Sequence, residues 1–511
     1  MIPTSQLLPP GWGTARIGDL CQLINGRAFK PTDWAKSGLP IVRIQNLNDP
    51  SSSFNYFNKE VDPRFLIGKG ELLFAWSGTP GTSFGAHIWS GGPAVLNQHI
   101  FRVLINERFL DKTYLKFALN HRVATFIEKA HGGVGLRHIT KGKFEETDLP
   151  VPPLNEQRRI VAMLEALLTR SRRAKEALDA IQAQLERFRK SVLAAAFQGD
   201  LTHDWRAANP DVEPASKLLE RLRYERRLGW ESAELERLLA KGRKPSDDGW
   251  KERYDEPVQL DAPALPELPT GWSWAPLDLL LTALRNGIAA KPDRESGLPI
   301  LRISAVRPMS VDLADVRYLP KSDEHFPNLL KEGDLLFTRY NGNAELVGSC
   351  AVVRGLRCPT VYPDKLIRGR VVEGHVLPEL VAMAANCGAS RAFINERSKS
   401  AAGQVGISGS DLKKVPIPIP PLAEQRVLVD RVNRAFAKAA SIDEAVRSAV
   451  ASIPRMDASI MTKAFRGELV PQEPTDEPAS VLLQRIRTER DQPADNEPRP
   501  HPKRRRETRV A

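Results

Sequence analysis

Two glycine-rich basic stretches are the residues of this chain best suited to hold a polyanion. One reads Gly132-Gly133-Val134-Gly135-Leu136-Arg137-His138-Ile139-Thr140-Lys141-Gly142-Lys143, the other Gly403-Gln404-Val405-Gly406-Ile407-Ser408-Gly409-Ser410-Asp411-Leu412-Lys413-Lys414. Glycine lets a backbone approach a ligand closely, and hydroxyl, guanidinium and ammonium groups donate to phosphate oxygens or base edges. Taken alone, each stretch reads equally well as an ordinary solvated turn. The donors of interest are Arg137, His138, Lys141 and Lys143 in one, and Gln404, Ser408, Ser410, Lys413 and Lys414 in the other. Two more loops follow a shared Gly-acid-Leu-Leu-Phe run. After Phe74 come Trp76, Ser77, Thr79 and Thr82, and after Phe337 come Arg339, Asn341 and Asn343. Arg43, His99, Arg302 and Lys365 complete the set of expected nucleic-acid contacts.

Catalytic chemistry has no comparable candidates. The chain contains no G-x-x-x-x-G-K-[ST] for a nucleotide, no Asn-Pro-Pro-Tyr or Asp-Pro-Pro-Tyr, and no H-E-x-x-H. No Glu is followed two places later by Lys, as the tail of a metal-dependent nuclease motif requires. His87, His99, His131 and His138 fit no metal-ligand spacing, so structural or DNA-contacting roles are expected for them. Cys21, Cys350, Cys358 and Cys387 form no C-x-x-C pair, which argues against both a zinc ribbon and a disulfide framework.

With 511 residues the chain exceeds a single core, which stops growing near roughly 250–300 residues. A net charge of +12 suits a polyanionic partner but is weak evidence by itself. No apolar run approaches the ~18 residues that span a bilayer, and the start lacks the pattern of a signal peptide, so no membrane association is expected and the cytoplasm is the expected compartment.

The elements that must carry these loops occur twice. Leu8-Pro9-Pro10-Gly11-Trp12 returns as Leu268-Pro269-Thr270-Gly271-Trp272, and Ser37–Ile44 returns as Ser296–Ile303. Gly70-Glu71-Leu72-Leu73-Phe74 returns as Gly333-Asp334-Leu335-Leu336-Phe337, Pro152–Arg158 as Pro420–Arg426, and Ala196–Gly199 as Ala464–Gly467. The offset varies through the globular parts but holds at 268 from Pro152 to Gly199, the difference between 152 and 420 and between 199 and 467. Each copy is therefore a globular unit followed by a segment of fixed length.

That segment carries a heptad. Ile160, Leu167, Ala174, Ile181 and Phe188 fall at a, with Leu164, Ser171, Leu178, Leu185 and Val192 at d. In the second copy Leu428, Ala435, Ile442, Ala449 and Met456 fall at a, with Val432, Ala439, Val446, Ile453 and Ile460 at d. A two-in-seven apolar stripe of this length predicts a coiled-coil seam, with Gly199 and Gly467 as stops and a kink at Pro454. An antiparallel pair would place one globular unit at each end. Its seam of about 50 Å, at 1.5 Å per residue, makes it a plausible ruler.

Short runs such as Ile41–Ile44, Glu71–Trp76 and Ile100–Leu104, with a helical stretch over Thr113–Lys129, predict a mixed α/β unit. Residues 45–66 and 304–327 share nothing obvious. Glu213-Pro214-Ala215-Ser216 is echoed by Glu477-Pro478-Ala479-Ser480, so the charged helical stretches Leu218–Leu228 and Ser232–Leu239 belong to a repeated segment as well.

Two globular units, each closed by Pro-Pro-Leu-x-Glu-Gln-Arg and a long helix ending in Ala-Phe-x-Gly, resemble the specificity subunit of type I restriction-modification systems. The resemblance covers nearly the whole chain to about residue 470. It implies two α/β target recognition domains (1–151 and 265–417), separated by long antiparallel coiled-coil helices (152–199 and 418–467) in a pseudo-two-fold repeat. Two segments depart from that layout: a charged helical insertion or linker (200–264), and a C-terminal helix with a basic tail (468–511), the tail expected to be disordered and carrying Lys503-Arg504-Arg505-Arg506. The resemblance implies a non-catalytic subunit that binds double-stranded DNA, each domain reading half of a bipartite target. It further implies two modification (methyltransferase) subunits docked on the helices, and restriction (motor-nuclease) subunits joining them. No cofactor is expected on this chain; S-adenosylmethionine, ATP and Mg would sit on the partners. The alternatives are a diverged fused restriction-methylation enzyme and a coiled-coil scaffold that reads no sequence.

Overall fold

The computed structural model describes residues 8–49, 51–78, 83–129, 137–243, 245, 247–260, 265–292, 295–401 and 404–491. The chain divides into two compact units. One holds the residues up to Leu178 and those from Ser448 onward, and the other is Asp179–Arg447.

In the first unit, Gly13–Arg16 pairs antiparallel with Asp148–Val151, Gly13 facing Val151. An antiparallel sheet follows the order Gln22–Asn25, Ile100–Leu104, Leu72–Ala75, Gly85–Ile88. A second, mixed sheet runs Asn55–Phe57, Leu39–Val42, Ala94–Leu96, Leu66–Ile67. All four residues of Leu72–Ala75 are buried, as its unbroken apolar run requires. Its alternate side chains serve two cores. Leu72 and Phe74 join Phe126 and Phe144, while Leu73 joins Val42, Leu96 and Ile100.

The second unit repeats this plan. Ser273–Pro276 pairs with Pro416–Ile419, and the antiparallel sheet runs Leu281–Asn286, Leu366–Val371, Leu335–Thr338, Cys350–Val352. Leu298–Leu301 pairs with Val316–Leu319, Leu298 facing Leu319, as Leu39 faces Phe57 in the first unit. The segments 45–66 and 304–327 thus share a strand pairing although they share no residues. Backbone hydrogen bonds and a buried face are enough to keep it.

The helices Leu154–Gln198 and Leu422–Phe465 span the predicted heptads. Gly199 (φ +83°) and Gly467 (φ +73°) stop them in the left-handed region, and the second helix continues through Pro454. Their pairing is antiparallel within each unit. In the first, Ile160 and Leu164 share a core with Ile460, Ala464 and Phe465, while Ser171 donates to Asp457 Oδ1 at 2.6 Å. In the second, Val192 and Ala196 share a core with Leu428 and Val432, and one groove is lined by Gln182, Glu186, Asp443 and Arg447.

The d positions Leu164, Ser171, Leu185, Val192, Val432, Ala439, Val446 and Ile453 are buried; Leu178 and Ile460 are half-buried. The a positions depart from the expected two-sided seam. Ile160 and Leu428 are buried and Leu167 and Ile181 half-buried, but Phe188, Ile442 and Met456 are 44%, 49% and 47% exposed. The d side chains fill the contact between the helices, and the a side chains are covered only where another element reaches them.

The expected stretches Leu218–Leu228 and Ser232–Leu239 form a single helix, Ala215–Ala240, running through Gly229. Its first backbone N–H, that of Ala215, donates to Gly271 O at 2.8 Å. In the other unit, Ala479 N of the helix Ala479–Asp491 donates to Gly11 O at 2.8 Å. The segment after each long helix therefore packs on the globular fold that precedes the other long helix.

Candidate nucleic-acid interface

The last strand of each globular fold enters its long helix through a buried carboxylate. Trp12 Nε1 donates to Glu156 Oε1 at 3.0 Å, and Trp272 Nε1 donates to Glu424 Oε2 at 2.9 Å. Gln157 and Gln425, next in each helix, bind the backbone: Gln157 Oε1 accepts from Asp111 N at 2.8 Å, and Gln425 Oε1 from Leu377 N at 3.1 Å. The Glu-Gln pair of the repeated motif is thus the bolt between fold and helix. The two bolts differ electrostatically. Glu424 also accepts from Thr202 Oγ1 and Arg206 Nη1, each at 2.6 Å, whereas Glu156 receives Gln472 Nε2 at 3.3 Å and its Oε2 has no partner. Burial raises the Glu156 carboxyl pKa, against the lowering effect of those hydrogen bonds.

On each fold so held, the two loops singled out in the sequence meet. Ser77–Gly78 pairs antiparallel with Arg137–His138, and Tyr340–Asn341 pairs with Gln404–Gly406. Both glycine-rich stretches are therefore hydrogen-bonded partners of the loops after Phe74 and Phe337. Matching backbone bonds align the copies. Trp76 N donates to His99 O at 3.2 Å, and Arg339 N to Lys365 O at 2.8 Å. Ile139 N donates to Trp76 O at 3.2 Å, and Ile407 N to Arg339 O at 3.0 Å.

The same backbone positions carry unlike chemistry. In the first domain the Trp76 ring stacks on Phe101 (5.4 Å, 22°), meets His99 edge-on at 5.4 Å, and donates its N–H to Asn25 Oδ1 at 3.2 Å. Burial, and secondarily the neighbouring His138, lower the His99 pKa, so its ring is neutral at pH 7. Its Nδ1 is buried without a hydrogen-bond partner. In the second domain Arg339 and Lys365 lie 4.7 and 5.3 Å from the Tyr340 ring, and Arg339 Nε is likewise buried without a partner.

Other sequence candidates are held by contacts within the fold. Lys141 Nζ donates to Leu23 O at 3.0 Å, and Lys413 lies 3.3 Å from Asp278. Ser408 caps the helix Gly409–Lys413, accepting from Asp411 N at 3.0 Å, and its Oγ lies 2.8 Å from that of Ser410. Asn341 and Asn343 accept from backbone N–H groups two residues on. Arg302 pairs with Asp315 at 3.2 Å; its counterpart Arg43 reaches Ser53 O at 3.5 Å and leaves Nε buried without a partner. Lys143 lies in the short helix Lys141–Glu145, and Lys414 caps the helix before Pro416–Ile419. Thr79, Thr82, His131, residues 132–136 and residues 503–506 lie outside the described residues. Tyr340 was missed by sequence reasoning, although a tyrosine between an arginine and an asparagine in a loop following a strand was a usable signal.

Among the described residues, no helix is long and apolar enough to cross a membrane, and no three His, Cys, Asp or Glu residues are grouped to hold a metal. A duplicated fold offers one backbone strip twice, with different donors and rings. The comparisons give its class. Residues 9–183 match the family described as the type I restriction modification DNA specificity domain. The chain is similar to the type I restriction enzyme EcoKI specificity subunit of Escherichia coli (strain K12), 30% identical over 94% of this chain and 96% of that protein. It is also similar to the StySPI specificity subunit of Salmonella potsdam, 25% identical over 94% and 96%. A solved chain from a study of the assembly and conformational transition of the type I R-M system shares the fold (TM-score 0.60, 20% identity, 91% of this chain and 100% of that one). So does the HsdS subunit from Thermoanaerobacter tengcongensis (TM-score 0.52, 20%, 92% and 100%). The chain belongs to the family of type I restriction enzyme specificity subunits. Its part in such a system is recognition of DNA sequence, without catalysis.

Proposed function

We propose that each globular domain reads one half of a bipartite DNA target through its two-loop strip, while the paired helices set the gap between the halves and hold two modification subunits. The reading is carried by one observation: positions 76 and 339, and 99 and 365, are matched by backbone hydrogen bonds yet differ in side-chain chemistry. A common frame with exchanged contacts lets two unlike half-sites be read by one fold. Phosphate contacts from lysines and arginines supply salt-sensitive affinity, and a few base-edge contacts supply sequence.

Docking on the helices is supported by Phe188, Ile442 and Met456, large apolar side chains left exposed. Restriction subunits would complete the assembly. S-adenosylmethionine, ATP and Mg would reside on the partner subunits, and the complex would work on DNA in the cytoplasm.

Footprinting of the chain assembled with its modification subunits tests the proposal. Two short protected blocks separated by an unread gap are expected, whereas equal protection of random duplexes would refute it. Inserting one heptad into both helices lengthens each by about 10 Å, roughly three base-pair steps, and should change the gap while leaving both blocks intact.

A further inference from the structure

We infer that positions 76 and 99 in the first domain, and 339 and 365 in the second, are the specificity-determining pair of each half-site, and that Arg339 with Lys365 selects a guanine. The inference rests on the reading that each domain recognises half of the target.

Three observations converge on these positions. The first is equivalence: in both domains the residue after the central sheet strand donates to the carbonyl of its partner in the pair and accepts from an isoleucine within the glycine-rich stretch, Ile139 or Ile407. The second is unmet hydrogen bonding. His99 Nδ1 and Arg339 Nε are both buried without partners, and both belong to this strip. A buried polar group left unpaired costs about 1–3 kcal/mol, so one such group in the pair of each copy, at position 99 in one and at position 339 in the other, points to a ligand that satisfies it. The third is orientation. Each pair is braced by a ring, Trp76 by stacking on Phe101 and Arg339 and Lys365 by lying over Tyr340, which limits the rotamers lost on binding.

The chemistry of the second pair is donor-only, because neither guanidinium nor ammonium accepts a hydrogen bond. In the major groove guanine presents two acceptors, O6 and N7, whereas cytosine offers a donor there and adenine one of each. Asp364 O already takes Arg339 Nη1 at 3.4 Å, which leaves donors of Arg339 to face a base. The first pair has no cation. A neutral imidazole that can donate or accept, beside an indole face, suits a different base, so the two half-sites should differ where these positions touch them.

The test is base preference measured on the full chain assembled with its modification subunits, by selection from a duplex library randomised at every position. The variants are R339Q, R339K, K365Q and H99N, and the unfolding midpoint of each is measured alongside. R339Q and R339K should each cut the preference for guanine at one position of one half-site by about ten- to a hundredfold, leaving the other half-site unchanged. K365Q should act in the same half-site, and H99N only in the other. R339K decides between the two roles of a cation. If Arg339 merely contacts phosphate, R339K keeps the motif, R339Q weakens all sequences alike and lowers the salt dependence, and the inference is overturned. An unchanged motif in correctly folded R339Q overturns it as well. A wild-type complex that yields no two-block motif would instead remove the underlying proposal.

Discussion

The Trp272 indole donates to Glu424, a buried carboxylate that also accepts from Thr202 and Arg206, whereas the equivalent Trp12 donates to a Glu156 that, among the described residues, has no cationic partner within hydrogen-bond distance. The same sequence motif therefore closes two joints of different electrostatic character. Removing one member of a buried ion pair strands the other, at a cost of about 3–5 kcal/mol. E424Q should lower stability by about that much in urea unfolding, and E156Q by no more than about 1 kcal/mol at pH 7. Equal losses would show that Arg206 does not stabilise the joint.

Glu156 also makes stability depend on pH. Its folded carboxyl pKa is raised by burial above the ordinary 4.5, so the folded state takes up a proton before the unfolded state does as pH falls. Stability from this group accordingly rises as pH falls from neutral through the raised folded value towards 4.5, and is flat below that. Wild type should gain thermal midpoint relative to E156Q on going from pH 7 to pH 4.5. Asp204 has the opposite sign: the hydrogen bond from Arg431 lowers its pKa to about 2. Its contribution is complete above about 3.8 and lost only as pH falls through about 2, so the D204N effect should stay constant between pH 7 and pH 4.5. A D204N effect that changes over that interval would refute this assignment.

Gly199 and Gly467 close the long helices where no side chain fits. A Cβ on Gly199 would lie 2.5 Å from Pro269 Cγ, and one on Gly467 would lie 2.3 Å from Pro9 Cγ, both at positive φ. At Gly70 (φ +88°) a Cβ would meet nothing within 4 Å. G70A therefore isolates the backbone cost of about 1–2 kcal/mol, and G199A and G467A should exceed it. Denaturation midpoints that rank the three alike would show that the proline contacts yield freely.

How far the fold could be read in advance depended on the range of the interactions. The heptads marked both helices and their pairing, because local spacing sets a helix face, while the antiparallel sense was implied by the family resemblance. Yet nothing local distinguishes Leu185, buried at d, from Phe188, exposed at a, because burial there depends on which other element arrives. Both loops of each strip were visible as donors, but their mutual pairing, Ser77 facing His138 across 61 positions, is a tertiary ladder with no sequence mark. Lys141 and Ser408 looked like ligand donors because a cation or hydroxyl beside glycine suits a phosphate. Their bonds to Leu23 O, 118 residues away, and to Asp411 N, three residues on, show that the protein's own backbone claims such groups first. The echo at Glu213 and Glu477 revealed a repeat, but not that each segment packs beside the tryptophan of the other copy's motif.

Phe188, Ile442 and Met456 make the docking proposal testable without disturbing the helix pair. Their d neighbours Leu185, Val446 and Ile453 are already buried, so replacing the exposed side chains removes little folded-state packing. F188S, I442S and M456S should each leave the unfolding midpoint of the chain nearly unchanged, whereas L185S should lower it by about 2–4 kcal/mol in stability terms. If these side chains are covered by modification subunits, desolvated aromatic and aliphatic anchors of this size are worth more than about 1 kcal/mol each. Titration of purified modification subunit into each variant should then show at least a five- to tenfold weaker association for F188S and I442S. Undiminished association with all three variants would move the docking surface elsewhere on the chain, because exposed side chains of this size cannot lie within such an interface and contribute nothing.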